Sequence, residues 1–360
     1  MHLQRLQLFS FKNHTEAHFA FCSQLNCITG PNGSGKTNVL DAVYYLANAK
    51  SYFNPADSQI MQHGSSFFSV HGWFADGDKE DEILATFTDK GKKTLKKNDK
   101  TYNRLADHIG MIQTVFITPY DISLVLEGSE ERRRFMDFTL CQTNREYLEV
   151  LSTYKRILEH RNSFLKKMEG RNPDPDIMDS YDSRLVPAAN RIFGWRQDFI
   201  SEFQPWFQEY YGWLCQTTET VALDYESELI TEAYSDILRR NLDRDRVLQR
   251  TSSGIHKDDL VFSLQGQPLK KFGSQGQIKS FVIALKLAQY RYFLEKTGHK
   301  PILLLDDIFE KIDALRAGKL MELVARDFFG QIIITDTHAE RVKNHLKSLD
   351  TEQVFFELGG

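Results

Sequence analysis

Eight consecutive residues, GPNGSGKT from Gly30 to Thr37, restrict what this chain can fold into more than any other stretch. Four residues separate Gly30 from Gly35-Lys36-Thr37, the G-x-x-x-x-G-K-[ST] spacing of a phosphate loop, which requires a strand before it and a helix after it. Both flanks are present. Phe21 to Thr29 (FCSQLNCIT) reads as a short, partly apolar strand, and from Asn38 onward Val39, Leu40, Val43, Leu46 and Ala47 recur at helical spacing. Gly30, Pro31, Asn32, Gly33, Ser34, Gly35, Lys36, Thr37 and Asn38 are therefore the expected nucleotide-binding stretch. Glycines let successive backbone N–H groups turn inward around an anion, and the helix beginning near Gly35 points its positive dipole end at the same place. In such a loop Lys36 reaches the outer phosphates and Thr37 ligates Mg²⁺.

A phosphate loop alone does not separate a nucleotide kinase from a GTPase or a mechanical ATPase, and bulk properties permit all three. With 360 residues, 41% hydrophobic and 26% charged, the composition is that of an ordinary soluble protein long enough for two lobes. No uninterrupted apolar run suits a bilayer span, and the N-terminal MHLQRLQLFSFKNH is too polar for a signal peptide, so a cytoplasmic location is expected. Cys22, Cys27, Cys141 and Cys215 form no C-x-x-C pair, which fits packing roles in a reducing compartment better than disulfides or zinc.

Two further stretches narrow the choice. In PILLLDDIFE, Pro301 to Glu310, four aliphatics followed by Asp306 and Asp307 describe a buried parallel strand delivering carboxylates at its C-terminal end. Asp306 is the expected carboxylate on the Mg²⁺ side. Asp307 is placed to orient or deprotonate a water attacking the terminal phosphate, and with Lys36 makes up the expected catalytic pair. In FGSQGQIKS, Phe272 to Ser280, the element Ser274-Gln275-Gly276-Gln277 opens a helix and offers an anion a hydroxyl, backbone donors and a positive dipole end. A second, partial cradle makes sense if it closes over a nucleotide held by another subunit; a polar helix cap is the alternative.

At these residues the chain resembles the ABC/SMC class of ATPases, and within it the recombination-type heads that lack the long coiled coil. The resemblance extends over FKN (Phe11 to Asn13), the phosphate loop, FITPYD (Phe116 to Asp121), GSEERRRFMD (Gly128 to Asp137), YKRILEHRN (Tyr154 to Asn162), GIHKDDL (Gly254 to Leu260), SQGQ (Ser274 to Gln277) and LLLDDIFEKID, ending at Asp313. It implies an α/β fold: an ABC/SMC-type P-loop ATPase head, with a mixed sheet, flanking helices and an antiparallel β meander, plus an inserted helical arm. It implies ATP and Mg²⁺ as cofactors, weak DNA-stimulated ATP hydrolysis, and an ATP-dependent homodimer. The implied partners are duplex DNA and single-strand/duplex junctions, together with the recombination proteins RecR and RecO and, through them, RecA. Two departures stand out. Ser51-Tyr52-Phe53 replaces a Ser-Phe-Arg-like triplet, leaving Lys50 as a substitute cation, and after the strand Gln331 to Ile334 both Asp336 and His338 qualify as γ-phosphate switch residues. A plain N-cap role suits Asp336 equally well. A nucleotide or small-molecule kinase is the runner-up reading, although it leaves SQGQ and the arm unused.

Along the chain the expected divisions are 1–138 for the first part of the head, 139–250 for the arm and 251–360 for the rest of the head. Phe67 to Phe74 and Glu82 to Thr88 read as strands turning at Asp76-Gly77-Asp78. Helical spacing runs from Asn144 to Met168 and again from about Ile177 to Leu214, with Pro187 and Pro205 as expected breaks. The net charge of -4 means that any nucleic-acid surface must be local. DKGKKTLKKNDK, residues 89–100, holds six lysines, of which Lys92, Lys93, Lys96 and Lys97 are the DNA candidates; a solvated hairpin is the competing reading. Arg132-Arg133-Arg134 suits ion pairs to Asp258 or Asp259 better than DNA.

Overall fold

The aliphatic runs beside the phosphate loop become strands of one parallel sheet. The computed structural model describes residues 1–216, 218–311, 314–325, 328–346 and 351–359. Its five-stranded sheet has the order Gln353–Glu357, Leu25–Thr29, Ile332–Asp336, Ile302–Leu305, Thr114–Ile117. Every neighbouring pair is parallel. Ile302, Leu303, Leu304 and Leu305 are all buried, as expected of a central strand covered on both faces. The register has a functional consequence. Thr29 lies opposite both Asp336 and Glu357, and Leu305 lies opposite Ile117 and Ile334. The chain therefore leaves the sheet at Gly30, Asp306 and Thr337 along one edge, where open α/β sheets bind their ligands.

A second, six-stranded antiparallel sheet is built almost entirely from the first hundred residues. Its order is His14–Ala20, His2–Phe11, Phe67–Asp76, Lys79–Thr88, Lys93–Lys97, Lys100–Thr101. The expected meander is there, turning at Gly77, whose φ of 61° suits glycine. The helix Lys36–Asn48 touches strands of both sheets, and eleven of its thirteen residues are buried. Gly72 permits this approach, since a Cβ there would stand 2.5 Å from Leu46 Cδ1.

The chain packs as two compact units, one of residues 1–121, 213–216 and 279–360 and the other of residues 122–212 and 217–278. The boundaries differ from the expected 138/139 and 250/251. Helix Ser129–Thr143 packs on the strand Asp259–Leu264 within the second unit, where Arg132 grips Asp259 through two bonds of 2.7 and 2.8 Å. One correction concerns the prolines. One helix, Pro175–Cys215, runs through Pro187 and Pro205 without a break. Both prolines are exposed, whereas Leu185, Ala189, Ile192, Phe199, Phe203 and Phe207 are buried. Packing of that apolar stripe holds the helix together, while the hydrogen bonds lost at proline fall where water can compensate.

Arg132 pairs with Asp259, as its sequence context suggests, whereas Arg133 donates to the Asp258 backbone carbonyl and Arg134 pairs with Glu130 and Glu131. Deeper in this unit Arg196 holds Asp137 and Asp258 at 2.8 and 2.9 Å, and Arg161 holds Asp182 and Asp245 at 2.9 and 2.8 Å. The four cysteines are free thiols. Among the described residues no helix is long and apolar enough to cross a membrane.

Candidate nucleotide site

The phosphate loop is shaped by contacts that only glycine permits. Gly35 has a φ of 99°, and a Cβ on it would stand 2.6 Å from side-chain atoms of Asn13 and His14. Asn13 donates through Nδ2 to Gly33 O at 3.3 Å and accepts from Asn38 Nδ2 at 2.7 Å. His14 Nε2 lies 3.1 Å from Gly35 O, so it must carry the proton and donate. Both residues lie at the turn of the first β-hairpin, about twenty positions upstream, and brace the loop from outside. Inside it, the buried Lys36 ammonium donates to Gly30 O at 2.9 Å and to Pro31 O at 3.0 Å. Ser34 Oγ is buried and has no hydrogen-bond partner among the described residues. A folded-in ammonium and an unsatisfied hydroxyl suit a site built for phosphate oxygens.

At the end of the neighbouring strand, Asp306 Oδ1 accepts from Thr37 Oγ1 at 2.7 Å and from Thr335 Oγ1 at 2.8 Å. Three sheet-edge segments thus converge on one carboxylate oxygen. Burial raises the Asp306 carboxyl above its ordinary value; the two hydroxyl bonds and the Lys36 charge pull the other way without cancelling it. Among the described residues no three His, Cys, Asp or Glu side chains cluster to hold a metal. A threonine hydroxyl beside one carboxylate is nonetheless the sparse donor set that Mg²⁺ takes when phosphates and water complete its shell.

Asp307 has a φ of 45°, a left-handed conformation that non-glycine residues seldom adopt. Its N–H donates to Thr335 Oγ1 at 3.1 Å, so Thr335 ties both aspartates to the adjacent strand. Strain at this place is consistent with a residue aimed for function. Asp336 is fully buried, accepts from the His338 N–H at 2.7 Å, and pairs with Arg341 at 2.7 Å. That bond turns the chain between the strand and the helix Ala339–Leu346, and the His338 side chain is exposed. Of the two switch candidates Asp336 is the buried one and His338 the exposed one.

The signature element forms a reciprocal cap on the helix Gln275–Thr297: Ser274 N–H donates to Gln277 Oε1 at 2.8 Å, and Gln277 N–H donates to Ser274 Oγ at 3.2 Å. Ser274 and Gln275 stay exposed, Gly276 is half-buried, and Gln277 also reaches Glu219 at 2.8 Å. Of the lysine candidates, Lys93 pairs with Asp57 at 2.9 Å and Lys97 with Asp81 at 2.8 Å. Lys92 is exposed and Lys96 half-buried on the same hairpin. At the altered triplet, the cation over the Phe53 ring is Lys12, 5.2 Å from its centroid, and Lys50 is exposed at the end of its helix. Asp313, the last residue of the acidic motif, lies outside the described residues.

A phosphate loop and a strand-borne carboxylate at the edge of a parallel sheet, with an antiparallel sheet beside them and a helical insertion in the chain, define an ATPase head of the ABC/SMC class. A family profile described as "RecF/RecN/SMC N terminal domain" matches residues 2–354. The chain belongs to this family, and within it to the RecF proteins. "DNA replication and repair protein RecF" of Flavobacterium johnsoniae is 44% identical over 99% of this chain and all of its own length. The protein of the same name from Phocaeicola vulgatus is 43% identical over 99% of this chain and 96% of its own. A solved structure described as "Structure of the recombination mediator protein RecF-ATP in RecFOR pathway" is 25% identical, with a TM-score of 0.88 over 94% of this chain and 93% of that one. An SMC head bound to part of ScpA shares the fold alone, at 15% identity and a TM-score of 0.56.

Proposed function

We propose that this chain is an ATP-switched DNA-binding protein of recombinational repair, forming an ATP-dependent homodimer that clamps DNA at gaps or single-strand/duplex junctions. The observation that carries the reading is the Thr37–Asp306 hydrogen bond of 2.7 Å, which joins the loop and the strand-borne carboxylate into one nucleotide site. The repair role is supported by the names of the relatives, and by the recombination-mediator description of the solved structure. RecR with RecO, and RecA through them, are the proposed protein partners.

In this reading Lys36 exchanges two loop carbonyls for phosphate oxygens when ATP binds, and Ser34 Oγ gains its missing partner. Thr37 and Asp306 would hold Mg²⁺, which when bound offsets charge on the transferring phosphoryl group. Asp307 orients the attacking water or accepts its proton. Ser274 leaves its cap on Gln277 to complete the nucleotide pocket of a second copy. Slow hydrolysis then resets the clamp.

Sedimentation of the pure protein with ADP, with ATP, and with ATP plus gapped DNA tests the whole reading. Three distributions are expected: monomer, dimer, and dimer on DNA. One distribution in all three conditions would refute it.

A further inference from the structure

Within the stretch Arg244 to Asp259 of the second unit three acids are held by hydrogen bonds and leave a group of cations outside. Asp245 accepts from the buried Arg161 and from Ser252, Asp258 accepts from the buried Arg196 and from Tyr225, and Asp259 accepts from Arg132. Their sequence neighbours Arg244, Arg250 and Lys257 are exposed. None of these three forms a side-chain hydrogen bond or ion pair among the described residues. The nearest exposed acid on the helix Leu242–Leu248 is Asp243, and it faces Arg246 at 3.5 Å.

These cations are held on a fixed frame. Arg133 donates to the Asp258 carbonyl at 2.6 Å, which sets its guanidinium beside the Lys257–Asp258 peptide. The Arg250 N–H donates to Asp245 O at 3.1 Å and so lies against the end of the Arg244 helix. Between them His256 bonds Tyr154 at 2.8 Å and the Thr251 carbonyl at 3.1 Å, which anchors the loop to a buried tyrosine. Burial lowers the His256 imidazole to about 4, so it is neutral at pH 7. The Lys257 ammonium is lowered first by partial burial and then by Arg250, Arg133 and Arg244, the direction expected where cations crowd together; of the four, Arg133 has Asp259, Asp258 and Glu130 as counter-charges.

We propose that Arg133, Arg244, Arg250 and Lys257 form a contact surface for the phosphate backbone of duplex DNA on the second unit, in addition to the lysine hairpin. This rests on the DNA-binding reading above and deepens it. Duplex DNA carries one charge per roughly 1.7 Å of its axis, a density that protein faces seldom reach, and crowded cations gain most from such a ligand. Guanidinium forks bind phosphate oxygens in pairs and read no sequence, so the contact positions DNA without choosing it.

The triple variant Arg244→Gln, Arg250→Gln, Lys257→Gln tests this in the full chain with ATP and Mg²⁺, by fluorescence anisotropy of a labelled duplex across a salt series. Its thermal midpoint and DNA-free ATPase should match the parent, because the three side chains have no partners to lose. Duplex affinity should fall about tenfold or more, and the log–log salt slope should shrink by about three. Unchanged affinity and slope overturn the proposal while leaving the DNA-binding reading intact. Loss of poly-glutamate binding with duplex binding unchanged also overturns it, and assigns the surface to an acidic protein. If the parental chain binds no duplex in any nucleotide state, the DNA-binding reading itself falls and takes this surface with it.

Discussion

Asp306→Asn should make the nucleotide-free protein more stable and the ATP-bound protein less so. The carboxylate is buried, and its Oδ1 already accepts from Thr37 and Thr335. Asparagine keeps that oxygen and both hydrogen bonds, each a net contribution of about 1 kcal/mol, while removing a desolvated charge. Since burial raises the Asp306 carboxyl, the folded state binds its proton more tightly than the unfolded chain does. The stability linked to that proton is fully present below the unfolded value, near 3.8, and is lost as pH rises through the folded value. Above the folded value the parental protein has lost it, and the asparagine variant has no charge there to desolvate. A gain of about 1–2 kcal/mol follows, raising the midpoint of a unit of this size by about 2–8 °C. The difference should shrink toward zero near pH 4. Adding ATP and Mg²⁺ reverses the order, because ligand at a hundredfold excess over Kd stabilises the parent by about 2.7 kcal/mol and the variant far less. Differential scanning calorimetry at pH 4 and pH 7, with and without nucleotide, reads all of this. If the variant is the less stable protein at pH 7 without nucleotide, the argument from a costly buried carboxylate is wrong.

The remaining expectations are briefer. Lys36→Ala should lose ATP binding, whereas Asp307→Asn should bind ATP and fail to turn it over; parental turnover in Asp307→Asn would remove its proposed role. Ser274→Arg should bind ATP as a monomer but not dimerise, and loss of nucleotide affinity in the monomer would instead assign Ser274 to its own chain's pocket. Lys92→Gln with Lys96→Gln should flatten the salt dependence of duplex binding by about two, and more than Lys93→Gln with Lys97→Gln, whose lysines already pair with Asp57 and Asp81. Arg196→Met should cost about 3–5 kcal/mol, measured by denaturant unfolding, because Asp258 stays buried without its guanidinium; adding Asp258→Asn should recover part of that.

What could be read from the sequence was whatever lies in short contiguous runs. GPNGSGKT and ILLLDD carry their own context, so the loop, the Ile302–Leu305 strand and the turn at Gly77 were all visible before folding. The ion pair of Arg132 with Asp259 was visible because the apolar Phe135 and Met136 fix which way that helix faces. Contacts between distant segments were not visible. Nothing near Asn13 or His14 announces that they brace Gly33 and Gly35, and nothing near Thr335 announces a bond to Asp306. Lys93 and Lys97 looked available only because Asp57 and Asp81 lie far away along the chain. Proline counted as a break because local propensity knows nothing of the packed stripe that carries the Pro175–Cys215 helix past it.

The strand order also sets a timetable for synthesis. The antiparallel sheet needs only the first hundred or so residues and can close while the rest of the chain is still being made. The Leu25–Thr29 strand, made just as early, waits for both of its neighbours, Ile332–Asp336 and Gln353–Glu357. Even the Thr29 carbonyl receives its last hydrogen bond from Leu358 N–H. A growing chain therefore carries a complete GPNGSGKT more than three hundred residues before the second of the two strands that flank Leu25–Thr29 exists, and the loop gains its finished sheet only once Gln353–Glu357 has been made.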